Sequence, residues 1–168
     1  MENQNTVGNF FKGLNIIHFA LCAGLIMVAG VMRFLVKQNA EPADESNKLV
    51  FEIIGIAIGA INVIVARLMF FTTTKPALSV STLGEKLNIF RTAHIIQMAL
   101  LEGAGIINAV FYFLTKNDLH FFIAVGIILM MIWRRPSRPM AALVLFSNME
   151  DKQKVYDLGL WVLVASLV

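Results

Sequence analysis

Glu102 is the residue of this chain with the clearest potential for chemistry. It lies in an apolar stretch over residues 89–114 that is long enough to cross a bilayer as a helix. Arg91 and Lys116 flank it at about 17 and 21 Å along such a helix. A charged carboxylate near the bilayer midplane costs at least about 2.5 kcal/mol, so we expect this carboxyl to be protonated, partnered or facing a wet path. Glu102 is therefore a candidate for binding a proton or a cation.

A structural role is the alternative for Glu102, because intramembrane polar side chains also hold helices together by hydrogen bonds. Asn62 is the midplane polar residue of a second apolar stretch, 14 positions after Lys48. It is the candidate hydrogen-bond partner of the Glu102 carboxyl, and bonding to backbone elsewhere is the alternative for its amide.

Histidines near one end of these stretches suggest proton access. His94, Met98, Glu102 and Gly105 fall on one face of a helix, with His94 about 12 Å from Glu102. We consider His94 as a proton entry point, with a simple interfacial position as the alternative. His18 lies at a similar depth in another apolar stretch, which also fits two axial ligands of a haem. We expect no cofactor, since nothing else in the sequence supports one.

The composition is that of an integral membrane protein. Hydrophobic residues make up 58% of the 168 residues and charged residues only 15%, against about 45–50% and 25% in soluble domains. The single cysteine, Cys22, excludes a disulfide within the chain. No phosphate loop, nucleophile elbow or metal-ligand cluster is present, so we expect a protein that is not an enzyme and binds no nucleic acid.

The hydropathy pattern predicts an all-α membrane protein with four transmembrane helices in one domain over residues 1–168. The predicted helices cover residues 10–36, 49–71, 89–114 and 119–133, and polar loops cover residues 38–47 and 72–87. The fourth helix is short for a membrane span. Residues 140–168 include two short apolar segments, which predict an interfacial C-terminal tail.

The distribution of basic residues predicts the orientation. Ten of the 14 Lys and Arg residues lie on the side that holds both termini and the loop over residues 72–87, and four lie on the other side. Because short cytoplasmic loops carry an excess of Lys and Arg, we expect both termini in the cytoplasm, with the protein in a bacterial inner membrane.

An internal repeat divides the chain into two tandem hairpins, residues 9–71 and 88–139. At an offset of 79 the first helix matches the third at 11 of the 30 positions 9–38, and at an offset of 67 the second matches the fourth at several positions. Both copies enter the membrane in the same direction, so a pseudo-two-fold axis along the membrane normal is expected.

Small residues indicate where helices approach closely. The repeat pairs Gly24 with Gly103 and Gly59 with Gly126, and Gly105 lies close to the acid. We expect all five glycines at helix contacts. Only the second copy carries the acid, because Glu102 stands opposite Ala23 of the first copy.

Residues 91–110 read Arg-Thr-Ala-His-Ile-Ile-Gln-Met-Ala-Leu-Leu-Glu-Gly-Ala-Gly-Ile-Ile-Asn-Ala-Val. This segment resembles the carboxylate-bearing helix of the proteolipid c subunits of rotary F-type and V-type ATPases. The resemblance implies that Glu102 binds and releases a proton or a sodium ion, and the V-type members share a duplicated arrangement that has lost one acid. The chain departs from the family pattern in its second helix, which has few glycines, and in its loop Thr-Thr-Thr-Lys-Pro at residues 72–76.

The sequence therefore predicts a small proteolipid-like protein that binds or translocates a proton or cation through Glu102. Its expected partners are the lipid bilayer and either further copies of the chain or a larger membrane complex. The competing prediction is a structural accessory subunit in which Glu102 is a neutral packing residue.

Overall fold

The chain is almost entirely helical in its computed structural model, which describes residues 2–38 and 48–145. Five α-helices and one 3-10 helix are present in these ranges: α1 (Glu2–Gln38), α2 (Lys48–Thr74), the 3-10 helix (Lys75–Leu78), α3 (Leu83–Thr115), α4 (Asp118–Trp133) and α5 (Arg138–Leu145). Residues 39–47 of the predicted loop and most of the predicted tail, residues 146–168, lie outside the described residues. The all-helical prediction is confirmed for the part of the chain that is described.

Three of these helices are long and apolar enough to cross a membrane. The candidate spans are Val7–Gln38, Leu49–Leu78 and Leu83–Thr115, which include the first three predicted helices. α4 has 16 residues, and so it is about 24 Å long, which is shorter than the roughly 30 Å hydrocarbon core of a bilayer. Arg134 ends α4, so its side chain lies where a long basic group reaches toward the membrane surface.

The connection between α2 and α3 is shorter than the sequence predicted. We expected a polar loop over residues 72–87, but α2 continues to Thr74, the 3-10 helix follows, and α3 begins at Leu83. Thr82 caps α3, since its hydroxyl oxygen accepts from the Glu85 backbone N–H and its O–H donates to the Glu85 carboxylate at 2.6 Å. This Thr-x-x-Glu pattern is a capping box, and it is the sequence signal for the earlier helix start.

α3 is the central helix of the bundle. It packs along α1, α2 and α4, whereas α1 and α2 make hardly any contact with each other in the described residues. Its buried face therefore runs the whole length of the helix, from Leu87 to Thr115, and it includes His94, Gln97 and Asn108. The first predicted hairpin is thus not a closely packed pair of helices, whereas the second one is.

α1 and α3 run parallel and in register, and we call their contact the α1–α3 seam. At one end Phe11 packs on Phe90, with ring centroids 6.4 Å apart. At the other end Arg33 donates to the Tyr112 hydroxyl. Both pairs are 79 residues apart, which is also the offset of the sequence repeat. Matched positions of the two copies thus lie at one depth along this seam.

Two apolar clusters hold the bundle together. The first lies midway along the helices and includes Cys22, Leu25, Leu101 and Met131. The second lies at the end where α1 and α3 begin, and it includes Phe11, Phe70, Phe90, Ala141 and Leu145. The last two residues belong to α5, so this short helix is docked on the bundle end through buried side chains.

Candidate functional site

Glu102 lies on the α1–α3 seam, near the middle of α3. A Cβ atom added to Gly24 of α1 would lie 3.1 Å from the carboxylate oxygen Oε1, so the glycine leaves the space that the carboxyl uses. The side chain is half-buried. No described residue forms a hydrogen bond or an ion pair with it. Glu102 is therefore a carboxyl at mid-helix depth without a polar partner among the described residues.

The predicted partner of Glu102 is not brought to it. The Asn62 amide donates to the backbone carbonyl of Ile58, one turn earlier in α2, at 3.0 Å. α2 packs on a different side of α3 from the seam, as the contact between Gly55 and Asn108 shows. The amide of Asn62 is thus satisfied by its own helix, which was the alternative interpretation of this residue.

His94 lies on the seam with Glu102, and it is joined there by His18 and Cys22. Nε2 of His94 is 3.3 Å from Nδ1 of His18, and Nε2 of His18 is 3.8 Å from the Cys22 sulfur. All three side chains are at least 97% buried. The imidazole of His94 also stacks on Phe90, with an interplanar angle of 11°. His18 and His94 thus share a direct hydrogen bond instead of facing each other across a haem.

Gln97 extends this polar cluster toward α2. Its amide donates to the backbone carbonyl of Ala66 at 3.5 Å. Its Oε1 atom, like Nδ1 of His94, is buried without a hydrogen-bond partner among the described residues. Buried polar atoms in proteins are nearly always hydrogen-bonded, so two such atoms within one turn of α3 mark this place as a site.

A second buried cluster, which the sequence analysis missed, lies at the other end of α3. Nδ1 of His120 is 3.3 Å from Oδ1 of Asn108, whose amide donates to the backbone carbonyls of Ala104 and Gly55 at 3.0 and 3.3 Å. Since the Asn108 oxygen only accepts, the neutral His120 ring must carry its proton on Nδ1. Nε2 of His120 then presents a buried lone pair without a partner in the described chain.

Beyond this second cluster, hydrogen bonds and an ion pair that involve charged side chains link the ends of the helices. Arg33 forms an ion pair with Asp118 at 2.5 Å, donates to Tyr112, and covers the Phe121 ring with its guanidinium carbon 4.9 Å from the centroid. Nearby, the Asn117 amide donates to the Glu52 carboxylate at 2.5 Å. These contacts join α1 and α2 to the turn between α3 and α4.

The predicted glycine contacts are only partly present. Gly24, Gly59 and Gly105 each have a neighbouring side chain within 3.2 Å of an added Cβ atom. An added Cβ at Gly103 or Gly126 would meet nothing within 4 Å in the described chain, so these two positions have no close neighbour of the kind found at the other three. The reason is that α3 and α4 turn these positions away from their neighbours.

Comparison of the chain with protein-family models, with curated proteins and with solved structures finds no match. Within the described residues, no group of three or more His, Cys, Asp or Glu side chains is arranged to hold a metal ion. The residues present instead offer a carboxyl at mid-helix and buried imidazoles whose ring nitrogens accept and donate hydrogen bonds.

Proposed function

We propose that this chain is a small proteolipid-like membrane subunit that binds a proton or a monovalent cation at Glu102. In this proposal α4 is a fourth, short membrane span, and the two hairpins are copies of one ancestral unit. The in-register packing of α1 on α3, at the same offset of 79 as the sequence repeat, supports the duplication. The resemblance of residues 91–110 to rotary ATPase proteolipids supports the chemistry.

The observation that carries the proposal is the position of the Glu102 carboxyl. It lies in the middle of a membrane-spanning helix, opposite a glycine, and no described Lys, Arg or amide reaches it. A group that only held helices together would have a hydrogen-bond partner across the seam, because an unsatisfied polar group in hydrocarbon is costly. A binding group, in contrast, must be open to the proton or ion that it takes up.

One observation favours the structural alternative. Gly24 makes room for Glu102, so the carboxyl also fills space between α1 and α3. A neutral, protonated glutamic acid would pack there as a glutamine would. The two roles differ in whether the site must ionise.

A carbodiimide experiment tests whether it does. A hydrophobic carbodiimide reacts with protonated carboxyls inside the bilayer, so we expect it to modify Glu102 of the purified protein in preference to loop acids. Labelling should fall as the pH rises. The substitution Glu102→Gln should keep the fold, because it preserves shape, and it should abolish labelling and any proton-linked activity of the native complex. Glu52→Gln, which removes a glutamate that is already bonded to Asn117, is the matched control.

The outcome separates the two roles. Resistance of Glu102 to the reagent at every pH, together with full activity of Glu102→Gln, would leave the structural role. The partner of the subunit is then the next question, and images of particles in mild detergent distinguish a ring of copies from a heterocomplex.

A further inference from the structure

Along the α1–α3 seam, a row of polar side chains leads from the level of Glu102 toward the end of the bundle where α3 begins, as far as His94. Beyond His94 lies the apolar cluster that includes Phe11 and Phe90. We propose that Cys22, His18 and His94 form a hydrogen-bonded chain that carries protons between Nδ1 of His94 and Glu102. This inference rests on the proposed function of Glu102 and deepens it, because it assigns the path by which the carboxyl is loaded.

Depth along the seam is the first support. The constant offset of 79 places His18 level with Gln97, and it places Cys22 level with Leu101. The path from His94 to Glu102 covers eight residues of α3, or about 12 Å, which is too far for one proton transfer. His18 and Cys22 divide it into steps of about 4.5, 6 and 1.5 Å along the helix axis.

Hydrogen bonding is the second support. His94 contacts His18 at 3.3 Å, and His18 contacts the Cys22 sulfur at 3.8 Å through its other ring nitrogen. The Glu102 carboxyl lies against Gly24 of α1, two residues after Cys22, and it forms no hydrogen bond with the thiol, so the last transfer requires the Glu102 side chain to rotate toward the sulfur. His18 therefore has a hydrogen-bonded neighbour on each side, and these neighbours, His94 and Cys22, are the two ends of the chain.

The tautomers make the chain reversible. In one direction His94 donates from Nε2 to Nδ1 of His18, which donates from Nε2 to the sulfur of Cys22. When a proton binds at Nδ1 of His94, the Nε2 proton of His94 moves to Nδ1 of His18. The Nε2 proton of His18 then moves to the sulfur of Cys22. The thiol proton of Cys22 moves to the Glu102 carboxylate. Each group gains one proton and loses one. The chain is left with all its hydrogen bonds reversed, which is the arrangement that returns a proton from Glu102 to His94.

The open end of the chain is the third support. Among the described residues, Nδ1 of His94 is the one ring nitrogen of the histidine pair that has no hydrogen-bond partner, and it is buried. Oε1 of Gln97, one turn away on α3, is buried and likewise has no hydrogen-bond partner in the described part of the chain. A chain that only stabilised the seam would gain by bonding these atoms, whereas a conducting chain needs an acceptor at its entrance.

The test is the rate at which Glu102 takes up a proton. The full-length protein in lipid vesicles is subjected to a rapid drop in pH, and infrared absorption of the protonated carboxyl is followed, with Glu102→Gln assigning the band. We expect fast uptake in the wild type. Cys22→Ala and His18→Phe should slow it by about a hundredfold, the scale on which a positioned proton carrier acts. Cys22→Ser should restore a rate near that of the wild type, because a hydroxyl also donates and accepts.

His120→Gln is the control, since this buried histidine lies at the other end of α3 and outside the chain. It should leave the rate unchanged. Equal rates in the wild type, Cys22→Ala and Cys22→Ser would overturn the relay while leaving Glu102 as a binding group. A Cys22→Ser protein as slow as Cys22→Ala would overturn the role of the sulfur. Absence of any Glu102 band at any pH would instead overturn the proposed function.

Discussion

At the scale of single residues, the side chains around a position explain why that position needs its residue type. Gly55 is an example. A Cβ atom at this position would lie 2.5 Å from Cε1 of His120 and 3.0 Å from Oδ1 of Asn108. The glycine is thus required by the imidazole and the amide that occupy the space beside it.

We therefore predict that Gly55→Ala destabilises the protein. The added methyl group must displace a ring that is fully buried, and overpacking of this kind costs about 1–3 kcal/mol. The measurement is the thermal unfolding midpoint in mild detergent. Gly103→Ala is the control, because its added Cβ would meet nothing within 4 Å, and it should have little effect.

A double variant checks the cause. Removing the imidazole in Gly55→Ala/His120→Ala should recover part of the stability lost in Gly55→Ala, relative to His120→Ala alone. Strictly additive losses would show that the methyl group and the ring do not collide.

The individual helices of this protein could largely be predicted from the sequence, but their rotation and their neighbours could not. Apolar runs long enough to cross a bilayer located α1 to α3, and a shorter apolar run located α4. In lipid both faces of such a helix are apolar, so periodicity does not show which face is buried. Asn62 was for this reason expected to face Glu102 and instead bonds to Ile58. His120 and Asn108 were not expected to meet.

The short helix α5 depends on packing more than on its own length. Eight residues are too few for a stable isolated helix. Leu145, which is 1% exposed, and Ala141 are buried in the apolar cluster at the bundle end that also includes Phe11 and Phe90. The packing of these buried side chains, and not the length of α5, therefore holds the helix on the bundle end.

We predict that Leu145→Ala lowers the stability of this end of the molecule by about 2–5 kcal/mol, the usual cost of truncating a buried leucine. The measurement is hydrogen exchange of the α5 amides in detergent, which should accelerate. Leu78→Ala, at a neighbouring leucine that is 54% exposed, is the control and should change exchange by little. Unchanged protection of α5 in Leu145→Ala would show that another contact holds the helix.

For the molecule as a whole, the arrangement of charge predicts how it sits in a membrane. The helix ends around α5 carry Lys75, Arg91, Arg135 and Arg138, all exposed, and these belong to the larger of the two groups of basic residues. The opposite end carries Arg33, which is bound to Asp118, and Lys37. The basic end should face the cytoplasm. In that orientation the entrance that we propose at His94 lies on the cytoplasmic side of Glu102.

This orientation predicts opposite accessibility of the two helix ends. In a Cys22→Ser background, single cysteines at Lys37 and at Lys75, both exposed, should react with a membrane-impermeant thiol reagent from opposite sides. Intact cells should label Lys37→Cys, and inverted vesicles should label Lys75→Cys. Reaction of both positions from one side would contradict the crossing of the membrane by α2. Opposite labelling with the two sides exchanged would preserve the spans and move the proposed proton entrance to the outer face.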